Sequence, residues 1–211
     1  MGSNFTFIPS LDKFLLFLKL LMKLPRKYYL NEDVVYLAKD LLGKLLITQI
    51  DGARTGGIIT ETEAYSEIEK GSHAYNKRKT DRTKIMFQEG GLSYVYLCYG
   101  MHHLFNIVTG KKDFAQAVLI RAIQPTIGIE EILFRRNKDK PDKKLCNGPG
   151  KVCHALGINR NQYGIELTSS EIWIERTSIR IDENQIEITR RIGIDYAKED
   201  ALLPWRFILK N

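Results

Sequence analysis

The sequence predicts an α+β fold organised on an antiparallel sheet. Short runs of alternating apolar and polar residues are joined by hairpin-type turns. Helical spacing is confined to the beginning and to one later stretch, so strands do not alternate with helices as a doubly wound parallel sheet requires. The 211 residues are 44% apolar and 27% charged, which supplies one packed core and excludes a disordered chain.

Residues 1–25 stand apart from the rest. Phe14 to Met22 form an apolar run interrupted by Lys19 and flanked by Lys13 and Lys23, too short and too charged to span a membrane. The run reads as an amphipathic helical extension whose apolar face packs on the body of the protein, and it lacks the pattern of a signal peptide. The remainder, 26–211, reads as one domain. Asn31-Glu32-Asp33 offers a helix cap, and apolar residues recur at helical spacing from Val34 to Leu42, with Gly43 ending the run. Lys44–Ile50 and Gly57–Ala64, joined across Asp51-Gly52, predict a β-hairpin.

Residues 66–91 are polar and basic, which predicts a long surface loop or a loop with a short helix. Ser93–Tyr99 and Leu104–Val108 predict a second hairpin turning at Gly100, and Ala115–Ala122 a further strand. A helix is expected over Glu130–Arg136. A turn at Asn147-Gly148-Pro149-Gly150 should lead into a helix at Val152–Leu156, followed by short strands at Glu171–Glu175, Ile179–Ile181 and Phe207–Leu209.

With 32 Lys and Arg against 25 Asp and Glu the net charge is +7, an excess that attracts a polyanion such as nucleic acid. Three cysteines, Cys98, Cys146 and Cys153, fit a reducing cytoplasm rather than a disulfide scaffold. Cys146, Cys153 and His154 do not have zinc-ligand spacing, so no metal is expected.

The chemistry concentrates in two stretches. In Glu61-Thr62-Glu63-Ala64-Tyr65, strand alternation puts two carboxylates and a phenol on one face. In Tyr94-Val95-Tyr96-Leu97-Cys98-Tyr99, Tyr94 and Tyr96 share a face while Tyr99 sits at the hairpin tip. An exposed aromatic there suits a protein that wedges base steps apart to evert a nucleotide. Each stretch alone also fits a solvated strand face or half-buried sheet packing.

Taken with His73, Asn106-Ile107-Val108, Val118-Leu119-Ile120-Arg121-Ala122, Asn147-Gly148-Pro149-Gly150-Lys151, Trp173-Ile174-Glu175-Arg176, Arg191-Ile192-Gly193-Ile194 and Pro204-Trp205-Arg206-Phe207, these stretches resemble the alkyladenine (3-methyladenine) DNA glycosylase family over residues 30–209. The resemblance implies a single domain on a curved, mainly antiparallel sheet with flanking helices and a protruding hairpin. It also implies a monofunctional, cofactor-free base-excision-repair enzyme acting on alkylated or deaminated purines such as 3-methyladenine, 7-methylguanine, hypoxanthine and ethenoadenine. Glu63 matches the general base that activates water, and Arg121 the group that orients it. Tyr65 and Tyr96 match walls around the everted base, while His73 and Asn106 match groups that read its edges. Tyr99 matches the minor-groove wedge, with Met101 beside it and Lys151 on a phosphate. No lysine matches a Schiff-base nucleophile, so no strand-cleaving activity is implied. His102 and His103 depart from the pattern, which has an aromatic in the first of these positions.

The implied partner is damaged double-stranded DNA, bound by a cytoplasmic monomer that neither needs a protein partner nor inserts into membranes. Two other readings compete. A non-catalytic nucleic-acid-binding module would use the tyrosines and the basic loop but has no use for Glu63, whose charge repels phosphodiesters. A peripheral membrane protein would use the amphipathic extension.

Overall fold

The computed structural model describes residues 22–210. The amphipathic helix expected over 1–25 therefore lies outside the described residues up to position 21. The chain then joins the body at once, where buried Leu24 donates its N–H to Ile174 O at 2.8 Å.

Helix α1 (Arg26–Tyr29) leads to α2 (Val34–Asp40), whose Asp33 cap accepts from the Tyr36 N–H at 2.8 Å and so satisfies one free amide of the first turn. The α2 residues Val34, Leu37 and Ala38 face the core. Strands β1 (Leu45–Ile50) and β2 (Ala53–Ser66) form the first expected hairpin. Its turn residues Asp51 and Gly52 have φ of 53° and 79°, the left-handed pair that a two-residue hairpin needs. The basic loop carries single 3-10 turns at Tyr75–Lys77 and Lys84–Phe87. Then come β3 (Ser93–Cys98), β4 (His102–Val108) and β5 (Gln116–Ile127). Helices α3 (Ile129–Arg136) and α4 (Pro149–Leu156) are followed by β6 (Ile172–Glu175), β7 (Ile186–Thr189) and β8 (Arg206–Leu209).

All pairings in the eight-stranded sheet are antiparallel, in the order β3-β4-β5-β2-β1-β6, with β8 joining β2 and β7. Long β2 is the organiser: one edge pairs with β5, and the other is shared by β1 near its start and β8 near its end. One face of the sheet carries Ala64, Val95, Phe105, Ile107, Val118, Ile120 and Phe207 into the main core with α2 and α4. Alternation leaves the opposite face of the same strands for the site.

Four local expectations change. Strand β5 continues beyond Ala122 to Ile127, including Pro125, which pairs with Gly57 at a register shift. A Cβ at Gly57 would stand 2.4 Å from Gln124 O, so glycine permits this close backbone approach. Ile179–Ile181 is irregular rather than a strand, whereas Ile186–Thr189 is an unanticipated strand on β8. Helix α4 begins at Pro149, so Gly150 and Lys151 lie in its first turn instead of ahead of it; proline is suited to that position because no helical acceptor awaits its missing N–H.

Candidate active site

Cross-strand register assembles the site. Tyr94 pairs with Asn106, Asn106 with Leu119, Leu119 with Glu63, and Glu63 with Arg206, giving one row across β3, β4, β5, β2 and β8. Directly paired residues project to the same side, and so do residues two positions away along a strand. Tyr96, Tyr65, Glu61 and Arg121 thereby join the row's face. The β2–β5 register skips Arg121 opposite Glu61 and Thr62, and a bulge of this kind re-aims a side chain.

That re-aimed guanidinium bridges two carboxylates: Nε donates to Glu61 Oε1 at 2.8 Å and Nη1 to Glu63 Oε2 at 3.2 Å. Arg206 Nε also donates to Glu61 Oε1, at 2.7 Å. Glu63 has 0% exposure, and donors meet both of its carboxylate oxygens. Tyr65 Oη donates to its Oε2 at 2.8 Å, and the Ile192 N–H to Oε1 at 2.8 Å. Burial pushes the Glu63 carboxyl above its ordinary range and Glu61 adds to the rise, against the opposing pull of Arg121, the Ile192 amide and the Tyr65 hydroxyl. For Arg121, burial works to lower the pKa, but Glu63 and Glu61 outweigh it and the guanidinium is held more firmly protonated.

A cleft of about 640 Å³ opens above this charge cluster, lined by Tyr65, His73, Tyr96, Asn106 and Arg121, with Tyr99 and Lys151 also on its walls. Glu63 lies one layer beneath, behind Tyr65, Arg121 and Ile192. The His73 Nδ1 lies 2.8 Å from Tyr94 Oη, and its ring meets Tyr96 edge-on at 4.7 Å. Burial, with the Arg82 and Arg78 charges adding to it, lowers the His73 pKa to about 4, so the ring is neutral at pH 7. Asn106 Nδ2 donates to Tyr94 O at 3.1 Å while the residue lines the cleft, combining a local backbone bond with access to an occupant.

Tyr99 is 86% exposed at the hairpin tip. Its φ of 52° precedes Gly100 at 71°, so the chain holds an aromatic outward in a conformation that non-glycine residues seldom adopt. Met101, 70% exposed, stands beside it over a smaller pocket of about 340 Å³ shared with His102, His103 and Lys151. Among the described residues, no cluster of His, Cys, Asp or Glu has the makings of a metal site, and no helix is long and apolar enough to cross a membrane.

Arg191 and Ile192 carry no role that their sequence motif implies, although Arg191-Ile192-Gly193-Ile194 is one of the stretches that carry the family resemblance. Arg191 is buried and pairs with Glu69 through two bonds of 2.8 and 2.7 Å, while its guanidinium centre lies 4.8 Å from the Tyr65 ring. Nothing in the local pattern around residue 191 announces these partners, which lie more than a hundred residues earlier in the chain.

One face of the antiparallel sheet thus carries an aromatic cleft, with Lys151 on its wall and the donor-ringed Glu63 carboxylate beneath it. Comparisons with known proteins give the family to which this arrangement belongs. Residues 28–211 match the family model described as methylpurine-DNA glycosylase. Relatives named as 3-methyladenine DNA glycosylases include one from Chlamydia felis, 52% identical over 189 residues that cover 88% of this chain and 95% of the relative. Another from Clostridium perfringens is 43% identical over 199 residues, covering 90% and 97%, and one from Bacillus cereus is 46% identical over 197 residues, covering 88% and 95%. The chain belongs to the methylpurine-DNA glycosylase family.

Proposed function

We propose that this DNA glycosylase everts alkylated or deaminated purines from duplex DNA and hydrolyses their N-glycosidic bond with water activated by Glu63. The observation that carries the reading is the Glu63 carboxylate, ringed by Tyr65, Arg121 and the Ile192 amide directly behind the aromatic cleft.

In the reaction, the bond between the anomeric carbon and the purine nitrogen breaks with its electron pair leaving on the base. Because Glu63 is buried behind Tyr65, Arg121 and Ile192, that layer shifts to admit water, which bonds to the anomeric carbon while the carboxylate takes its proton. The carboxylate's charge also stabilises the oxocarbenium character of the sugar. Arg121 favours the ionised carboxylate and fixes its orientation. Alkylated bases such as 3-methyladenine and 7-methylguanine already carry positive charge and leave as neutral molecules. Hypoxanthine and ethenoadenine need a proton in addition. Tyr65 and Tyr96 stack on the everted base, neutral His73 and Asn106 face its edges, Tyr99 and Met101 fill the gap in the helix, and Lys151 meets a phosphate. The products are a free base and an intact strand with an abasic site, since water rather than an amine attacks. The working species is a cytoplasmic monomer that needs no organic cofactor or protein partner.

A pure binding module gives no reason to keep a buried carboxylate behind the cleft, where desolvation works against its ionised form. Duplexes each carrying one damaged purine, incubated with the protein in buffer containing a chelator, test the proposal. Base release should leave alkali-labile sites at the lesion and no cleavage before alkali. Tight binding without base release from any of the duplexes would favour the binding module.

A further inference from the structure

We propose that Arg191 is the positioning residue of this site: its guanidinium sets the Tyr65 wall while its backbone delivers the Ile192 amide to Glu63. The inference rests on the proposed role of Glu63 and extends it to a residue whose side chain has no exposed surface.

The Arg191 side chain has no exposed surface. Its Nη1 donates to Glu69 Oε1 at 2.8 Å and to Ala64 O at 2.9 Å, while Nη2 donates to Glu69 Oε2 at 2.7 Å and to Asp200 O at 3.1 Å. The same group lies over two aromatic rings, 4.8 Å from the Tyr65 centroid and 5.2 Å from that of Trp205. Three segments are thus tied at one point: the end of β2, the 66–73 loop that carries His73, and the 190–200 segment. Glu69 strengthens the second tie, because its Oε2 also accepts the Gly71 N–H at 2.7 Å. One residue along the chain, the Ile192 N–H reaches Glu63 Oε1 at 2.8 Å.

This arrangement is an expensive way to fill space. A buried arginine–glutamate pair is commonly matched in stability by apolar residues of similar volume, so stability alone does not call for it. What a planar five-donor fork adds is geometry: its two terminal nitrogens hold both oxygens of Glu69 and two carbonyls, Nε has no partner among the described residues, and the guanidinium lies over the Tyr65 ring. Lysine offers neither the fork nor the flat face.

Two variants test the inference: Arg191→Lys, and the double substitution Arg191→Met with Glu69→Leu, which removes both buried charges and keeps apolar volume. Folding is checked by circular dichroism and thermal melting. Single-turnover base release from a duplex containing one 7-methylguanine is then followed against pH, alongside the Kd for that duplex. The groups facing Glu63 are Glu61 and Tyr65 of β2, Arg121 of β5 and the Ile192 amide. Displacing that amide withdraws one stabiliser of the ionised carboxylate, so the acid limb should move up by about one pH unit. The plateau rate should fall by about tenfold or more through misorientation, with the Kd changed less than threefold. A folded variant of either kind with the wild-type acid limb and plateau rate would overturn the positioning role. Glu63→Gln, run in parallel, separates the two readings: wild-type release by that variant removes the premise, whereas its inactivity beside wild-type-like Arg191 variants removes only this inference.

Discussion

Replacing Tyr65 with phenylalanine deletes one oxygen and should move the pH dependence of base release rather than abolish it. The hydroxyl donates to Glu63 Oε2 at 2.8 Å, in a setting where burial already raises the carboxyl's pKa. A hydrogen bond to a charged group is worth about 1.5–3 kcal/mol, and one pKa unit corresponds to about 1.4 kcal/mol. Losing the bond therefore raises the Glu63 pKa further, and the acid limb should move up by about one to two pH units. The sign follows from the role of the ionised form: the rate grows as Glu63 loses its proton, so a higher pKa shifts the acid limb to higher pH. Phenylalanine retains the ring against Arg191 and in the cleft wall, so duplex affinity should stay within about threefold and the plateau rate within about tenfold. Single-turnover release of 7-methylguanine between pH 5 and 9 provides the measurement. Superimposable acid limbs for the two proteins would refute the hydroxyl's part in setting the base, whatever the plateau rates.

Tyr99→Ala should fold with an unchanged melting temperature, because the side chain is 86% exposed, yet release the lesion from duplex at least about tenfold more slowly than wild type. Release from single strands should be unaffected, and equal losses on both substrates would contradict the wedge role. His73 links stability to pH: its proton is lost near 4 in the folded protein against an ordinary value of 6.5. The unfolded chain therefore takes up the proton first, so the stabilisation is full above 6.5, disappears as pH falls towards 4 and amounts to on the order of 3 kcal/mol. Denaturant melts of wild type and His73→Asn should diverge across that window, the variant losing less stability on acidification; parallel losses would show that His73 is not the group involved.

The legible parts of the molecule are those whose causes are local. Asp51-Gly52 specifies a hairpin because both residues tolerate positive φ, and Asp33 caps α2 through an amide three residues away. Alternation alone places Glu61, Glu63 and Tyr65 together, and the structure joins Glu61 and Glu63 through Arg121 and Glu63 directly to Tyr65. What stayed hidden depends on partners distant in sequence. The expected strand stopped at Ala122, yet β5 runs on through Pro125, for which Gly57 on the neighbouring strand gives room. Ile179 and Ile181 alternate like strand residues but pack toward Gly43 without a pairing strand, whereas Ile186–Thr189 found one in β8. The bulge that turns Arg121 toward both carboxylates arises only where β2 and β5 fall out of step. Arg191 is the extreme case, since its surroundings are assembled from β2, the 66–73 loop and the 190–200 segment.

Glu63→Gln puts the mechanism to its most direct test, because the amide keeps the shape of the side chain and removes its basicity. Base release and binding should be measured on the same 7-methylguanine duplex. Release should fall by at least about a thousandfold, with the Kd unchanged or tighter, since Glu63 is buried and lines none of the cleft. Release at the wild-type rate would show that some other group activates the water.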